Sequence, residues 1–343
     1  MASKGASSIT PDRVQGEAEA TSSMIEVLTS IWQRVLQLPF VDIEANFLDL
    51  GGDSSLALRL FTEIAEVCGR ELPPVVIYQA PTITALAALL EQPIAPSFPP
   101  LVLLKAGAEG PPVFLAHGLG GSAMDFFQPV KYIQSGHPIY GLQARGIDGI
   151  EEPFEWIEDM AQFHLDAIKE VQPHGPYLLI GYSLGGLVTL EIAQSLFASG
   201  EKVALLAMLD AYPHFRHLSL GQRVRLSARQ ARRGLQILGD LSGSGAYQPP
   251  VGVSLSPAMQ RVRDRAYLAL TRYRPKFYGG KIKFVRAEIS SAFPDDAVAV
   301  WGKLADELQV ETVPGDHLGI ITTHFESLAT VLSRYLKEAP CQE

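Results

Sequence analysis

Cysteine is nearly absent: the 343 residues contain two, Cys68 and Cys341. A pair so far apart offers no disulfide framework of the kind that holds small secreted domains together. Long apolar runs are missing as well. Val203–Leu209 is typical of the longest, far short of the ~18–20 residues that a membrane-spanning helix requires. The N-terminus lacks the apolar stretch of a secretory signal, and Glu17 and Glu19 sit poorly in a transit peptide, so a cytoplasmic location is expected. Positive charge is in deficit. Lys and Arg number 28 against 37 Asp and Glu, for a net charge of −9, which argues against a nucleic-acid surface over the whole chain. No metal site is expected.

What is present divides the chain. Apolar residues make up 47%, an ordinary globular content, and the length has room for two domains. Residues 1–22, rich in Ser, Ala, Gly and Glu with almost no apolar pattern, are expected to form a flexible leader. Prolines at 93, 96, 99 and 100 make residues 93–100 a stiff linker. A small unit, 23–92, and a large one, 101–343, lie on its two sides.

In the small unit, Met24, Leu28, Ile31, Trp32 and Val35 recur at helical spacing, and so do Leu56, Leu60, Phe61, Ile64 and Val67 before Gly69. Val75–Tyr78 fits a helical turn, and Pro81-Thr82 opens a last helix. The sum is an all-α bundle of three or four helices. Ahead of its second helix stands Asn46-Phe-Leu-Asp-Leu-Gly-Gly-Asp-Ser54. This loop resembles the attachment site of acyl and peptidyl carrier proteins. The resemblance puts 4′-phosphopantetheine on Ser54 and implies a phosphopantetheinyl transferase as partner. A serine at a helix N-terminus also suits a phosphodiester, because unpaired N–H groups and the positive end of the helix dipole gather there. The family usually has an apolar residue directly after the modified serine, whereas this chain has Ser55. Without the resemblance, Asp53, Ser54 and Ser55 also read as ordinary N-cap residues.

The large unit alternates apolar strand runs (Val113–Ala116, Pro138–Leu142, Val203–Leu209) with helical patterns such as Trp156–Val171. That alternation predicts a mostly parallel sheet covered on both faces. Its centre is Tyr177-Leu-Leu-Ile-Gly-Tyr-Ser183-Leu-Gly-Gly186. A buried strand entering G-x-S-x-G and leaving as a helix is the nucleophile elbow of the α/β-hydrolase arrangement. It nominates Ser183 as nucleophile and the Leu184 N–H, at a helix start, as an oxyanion donor. That fold places an acid and then a histidine later in the chain. Asp210, closing the Val203–Leu209 run, is the preferred acid over Asp316. His317, after Val313-Pro-Gly-Asp316, is the preferred base. His214 and His217 lie just after Asp210, and His137, His164, His174 and His324 sit where a solvated histidine is equally expected. His117 ends a strand in His117-Gly-Leu-Gly-Gly121 and reads as structural, with the Leu119 N–H as second oxyanion donor.

With these motifs in this order behind a carrier and a proline linker, residues 101 to about 337 resemble the type I thioesterase that ends nonribosomal peptide and polyketide synthetases. The resemblance implies an all-α carrier bundle followed by an α/β-hydrolase domain with a helical lid at about 212–275. It further implies upstream synthetase modules as partners, and release of an acyl or peptidyl chain by hydrolysis or cyclisation. A free-standing esterase with an unrelated helical domain, or an inert acyl-binding module, is the alternative. Charge is unevenly placed: residues 1–93 carry −7, and residues 212–275 carry +9 from eleven arginines against Asp240 and Asp264. Arg225, Arg229, Arg232 and Arg233 fall on one candidate helix.

Overall fold

The protein is described from a computed structural model covering residues 11–92, 98–232, 256–289, 293–294 and 296–340. The chain divides into two compact units, Met1–Ser97 and Phe98–Glu343. The first contains α1 (Pro11–Leu36), α2 (Ser54–Cys68) and α3 (Ile83–Leu90), with a 3₁₀ turn at Pro74–Tyr78 between α2 and α3. Helical backbone therefore starts at Pro11, inside the stretch expected to be a flexible leader. Short polar residues and a glycine mark the ends of the later helices. Asp53 caps α2 by accepting the Leu56 N–H at 2.8 Å, Gly69 ends it at φ 66°, and Thr82 caps α3. Leu28, Trp32, Leu60, Ile64, Val75 and Leu86 are fully buried. Phe47 joins them edge-on to Trp32, with ring centroids 5.1 Å apart. A side chain at Gly52 would collide with the Phe47 ring, so the glycine lets the approach to α2 fold back over that anchor.

The second unit is built on seven strands: β1 (Leu101–Lys105), β2 (Val113–Ala116), β3 (Ile139–Leu142), β4 (Tyr177–Tyr182), β5 (Val203–Leu209), β6 (Tyr278–Ile289) and β7 (Ala305–Asp316). Their order is β1-β3-β2-β4-β5-β6-β7, and only β1 runs antiparallel to its neighbour. Helices fill the crossovers, namely α4 (Phe127–Tyr132), α5 (Ile157–Val171), α6 (Leu184–Ala198), α7 (Leu220–Arg232), α8 (Pro257–Arg272) and α9 (Ala297–Trp301), while α10 (Gly319–Thr322) and α11 (Phe325–Glu338) follow β7. The doubly covered sheet explains why β4 is continuously apolar. Tyr177 and Leu179 pack in the core with α5 and α6, while Leu178, Ile180 and Tyr182 pack in the core with α4 and α11. Each fully buried leucine here contributes about 1.5–3 kcal/mol of hydrophobic stabilisation.

The last two strands are longer than their apolar runs suggest. β6 continues past Phe284 to Ile289, and β7 extends from Ala305 through Pro314 and Gly315 to Asp316. Edge exposure is the reason for β7. Its outer residues, Asp306, Glu307 and Gln309 among them, are polar, so its apolar run looks shorter than the strand. A proline is tolerated near the end of such an edge strand. β1 is a short edge strand with one buried residue, Val102, which leaves little alternation to read. The candidate helix carrying Arg225, Arg229, Arg232 and Arg233 is seen from Leu220 to Arg232, and Arg233 lies outside the described residues. Among the described residues no helix is long and apolar enough to cross a membrane.

Candidate active site

β4 turns into α6 at Ser183, whose backbone sits at φ 55°, ψ −120°. A non-glycine residue there is strained, and the flanking glycines show what permits it. A Cβ at Gly181 would strike the backbone at Gly185, and one at Gly185 would strike the carbonyls of Ala116 and His117. The elbow is therefore pressed against the end of β2, where the loop carrying Leu119 begins. The Ser183 N–H donates to the Leu209 carbonyl at 2.9 Å, tying the turn to the end of β5.

Asp210 follows directly on β5, also at positive φ (46°), and is 3% exposed. Its Oδ1 accepts the Ala287 N–H at 3.1 Å and its Oδ2 lies 2.8 Å from His317 Nδ1. His317 Nε2 lies 3.0 Å from Ser183 Oγ. One unbroken chain of contacts thus joins the ends of β5 and β7 to the elbow. Asp316, the competing acid, instead accepts the Gly319 N–H at 2.7 Å at the start of α10. Tyr182 and Phe293 flank the His317 ring, at centroid separations of 5.0 and 4.6 Å. The Tyr182 hydroxyl donates to the His317 carbonyl at 2.9 Å. These two aromatics were not singled out in the sequence. Tyr182 stands inside the elbow motif, but nothing local signals that its ring supports a histidine 135 residues away.

The remaining histidines separate by burial. His117 is buried, with Nδ1 2.7 Å from the Gly118 carbonyl, in keeping with a structural reading. His164, expected among solvent-compatible histidines, is 2% exposed beside it, because α5 turns that face onto the sheet. Burial lowers both imidazoles from their ordinary value, His117 to about 4 and His164 to about 3. The sequence also gave no hint of Asp125. Its Oδ2 accepts the Gly118 N–H at 2.7 Å, and burial raises its carboxyl to about 6 against the opposing effects of that hydrogen bond and of His317. His214 and His217 belong to the segment before α7, where His217 Nε2 lies 2.7 Å from the Thr271 carbonyl. Among the described residues no cluster of three or more His, Cys, Asp or Glu could hold a metal ion.

In the first unit, Ser54 is the first residue of α2. Ser55 Oγ donates to Asp53 Oδ1 at 2.9 Å, so its hydroxyl and the Asp53 carboxylate serve the helix cap. A cap satisfied by Asp53 and Ser55 suits a phosphodiester on the neighbouring Ser54, next to the first-turn N–H groups.

The family model for the thioesterase domain matches residues 111–336. The chain belongs to the thioesterase domain family. A phosphopantetheine attachment site model matches residues 26–90 of the same thioesterase chain, so the chain joins a helical carrier region to an α/β-hydrolase domain. Among curated relatives, the dimodular nonribosomal peptide synthase of Bacillus subtilis (strain 168) is 36% identical over 292 residues, 77% of this chain and 12% of that protein. Malpibaldin synthetase of Mortierella alpina is 32% identical over 277 residues, 78% of this chain and 5% of that one. The thioesterase chain thus spans a small fraction of the relatives it matches. A four-domain nonribosomal peptide synthetase crystal structure shares the fold at a TM-score of 0.58 and 22% identity, over 97% of this chain and 27% of that one. The type II thioesterase BorB from the borrelidin cluster does so at 0.55 and 18%, over 70% and 98%.

Proposed function

We propose that this chain is a terminal release didomain, which accepts an acyl or peptidyl thioester onto Ser183 and releases it by hydrolysis or cyclisation. The observation that carries the reading is the Ser183–His317–Asp210 chain, at 3.0 and 2.8 Å, in a polypeptide that also contains a phosphopantetheine attachment site. Residues 23–92 act as carrier, 93–100 as linker and 101–343 as hydrolase, with a lid over about 212–275. Ser54 holds 4′-phosphopantetheine, whose thiol presents the acyl chain as a thioester. A phosphopantetheinyl transferase installs that group and upstream synthetase modules supply the chain.

The residues act in sequence. His317 Nε2 takes the Ser183 proton as Oγ attacks the thioester carbonyl, and Asp210 holds the imidazole with its proton on Nδ1 and stabilises the imidazolium. The N–H groups of Leu119 and Leu184 stabilise the oxyanion, the second with help from the α6 dipole. His317 returns the proton to the leaving thiolate. It then activates water, or a nucleophile on the chain itself, against the acyl-serine. Tethering gives an effective concentration on the order of mM, so the site needs little intrinsic affinity for its donor.

Intact-mass spectrometry of the full chain tests this reading. With phosphopantetheinyl transferase and coenzyme A, wild type and Ser55→Ala gain one arm and Ser54→Ala none. With an acyl-loaded arm, Ser183→Ala retains the load on the carrier and forms no second adduct. An arm on Ser54→Ala, or release by Ser183→Ala at the wild-type rate, refutes the corresponding assignment.

A further inference from the structure

Beside the oxyanion loop, and apart from the Ser183–His317–Asp210 chain, lies a cavity of about 20 Å³, counted as room for the centre of a water molecule. His117, His164 and Arg145 line it, with Val262 and Ala266 of α8. Three of their polar atoms are buried with no hydrogen-bond partner: His117 Nε2, His164 Nδ1 and Arg145 Nε. His117 is 4% exposed and His164 2%, and their rings meet edge to face at 5.9 Å. Buried polar atoms seldom go unpaired, and an ordered water needs roughly 10–15 Å³ of this kind of space and about two to four polar partners. We propose that this cavity binds one ordered water, which holds His117 as its Nδ1–H tautomer and makes it a positioning residue for the oxyanion peptide. The proposal rests on the reading of the Leu119 N–H as an oxyanion donor.

The hydrogen-bond inventory is complete with one water. Arg145 Nε–H donates to its oxygen, and its two hydrogens go to His117 Nε2 and His164 Nδ1. A neutral imidazole has one donor and one acceptor nitrogen, so an Nε2 that accepts leaves the proton on Nδ1. That proton points to the Gly118 carbonyl, 2.7 Å away. The Gly118 carbonyl and the Leu119 N–H belong to one planar peptide, so holding the oxygen fixes the direction of the N–H. The Gly121 N–H also reaches the Gly118 carbonyl, at 3.2 Å, and Asp125 holds the Gly118 N–H. External anchors matter in this loop because Gly118, Gly120 and Gly121 restrict the backbone little by themselves. The cavity is therefore a hydration site that acts on the oxyanion donor through a single imidazole. Val262 and Ala266 bring the α8 part of the lid region into its wall.

Turnover of a small acyl thioester by full-chain variants tests the role of His117. Removing an oxyanion donor costs about 10²–10³ in kcat, and misdirecting one costs less, so His117→Leu should lower kcat about 10–100-fold with KM little changed. His117→Asn, which restores an N–H near the Nδ1 position, should recover to within about threefold of wild type. A packing role predicts the reverse order, since leucine fills more of the site than asparagine. Imidazole ¹⁵N spectra, with His117 assigned by its loss in His117→Asn, should show a protonated Nδ1. A proton on Nε2 instead overturns the proposal. Arg145→Met removes the donor to the water. It should shift the His117 Nε2 resonance and lower kcat by less than His117→Leu does, and an unchanged spectrum overturns the water. Fluorophosphonate labelling keeps the two readings apart. Wild-type turnover in His117→Leu with Ser183 still labelled overturns only the role of His117. Failure to label Ser183 in wild type overturns the site beneath it.

Discussion

Replacing Asp210 by asparagine is the sharpest test of the site, because it changes the chemistry of one atom and almost nothing else. The carboxylate is 3% exposed, and its two oxygens have separate duties. Oδ1 accepts the Ala287 N–H at 3.1 Å, and asparagine keeps that acceptor. Oδ2, 2.8 Å from His317 Nδ1, becomes an NH₂ group. That donor forces the His317 proton onto Nε2, where it faces Ser183 Oγ and cannot take its proton. The positive φ of 46° is tolerated by asparagine as well as by aspartate, so the fold has little reason to change. In the serine-protease template, the equivalent exchange lowers kcat about 10⁴-fold, which corresponds to about 5.4 kcal/mol of transition-state stabilisation. The same order is expected here, with a thermal midpoint close to wild type. Asp316→Asn serves as the control. It weakens only the Asp316 bond to Gly319 at the start of α10, a cap-like contact worth about 0.5–2 kcal/mol, and acylation of Ser183 should stay near wild type. Single-turnover acylation, read by intact mass, measures both variants. If Asp316→Asn is the more damaging, or Asp210→Asn acylates within about tenfold of wild type, the acid has been misassigned.

Two further outcomes are expected. Reversing Arg229 and Arg232 in α7 to glutamate should slow transfer from the acyl-loaded carrier, more at low salt than at physiological salt, where the Debye length is about 8 Å; hydrolysis of a small uncharged ester should hardly change, and equal losses on both substrates would assign these residues to the stability of α7 itself. Stability should respond to pH through two opposing groups. His117 and His164 are lowered to about 4 and 3 in the folded protein, so their stabilising contribution is present above about pH 6.5 and is lost on acidification toward those values. Asp125, raised to about 6, binds more protons folded than unfolded between roughly pH 4 and 6, so it subtracts stability as pH rises through that window. Asp125→Asn should therefore steepen the rise of the thermal midpoint with pH between about 4 and 6 and His164→Phe should flatten it; the opposite pair of slopes would refute the assignment of these protons.

The arginines of residues 212–275 show how far composition carries an argument. Their positive excess is evident from counting, but its use is not. In the structure Arg265 and Arg272 both pair with Glu155, and Arg272 also covers the Trp156 ring at 4.7 Å. Part of the basic set therefore ties α8 to the chain before α5. Arg225 and Arg232 lie in α7, and Arg233 falls outside the described residues.

The elbow could be read from sequence because most of its determinants are local. A buried strand, two glycines and a helix start lie within ten residues; steric exclusion at Gly185 comes from Ala116 and His117 at the end of β2, but the exclusion at Gly181 comes from the turn itself. The same holds for Asp53-Ser54-Ser55 at the mouth of α2 and for the apolar run that ends at Asp210. Chain order left both Asp210 and Asp316 as candidate acids for His317, and only the tertiary structure shows that the sheet carries the Asp210 carboxylate to within 2.8 Å of His317 Nδ1 while Asp316 accepts the Gly319 N–H. Tertiary packing also buried His164, recruited Tyr182 and Phe293 around the His317 ring, and placed Asp125 on the Gly118 N–H. Asp125 and Gly118 are only seven residues apart, but the others depend on segments far apart in the chain approaching within van der Waals distance, and no local periodicity encodes that. The sequence therefore determined which residues could react, and the fold decided which side chains hold them in place.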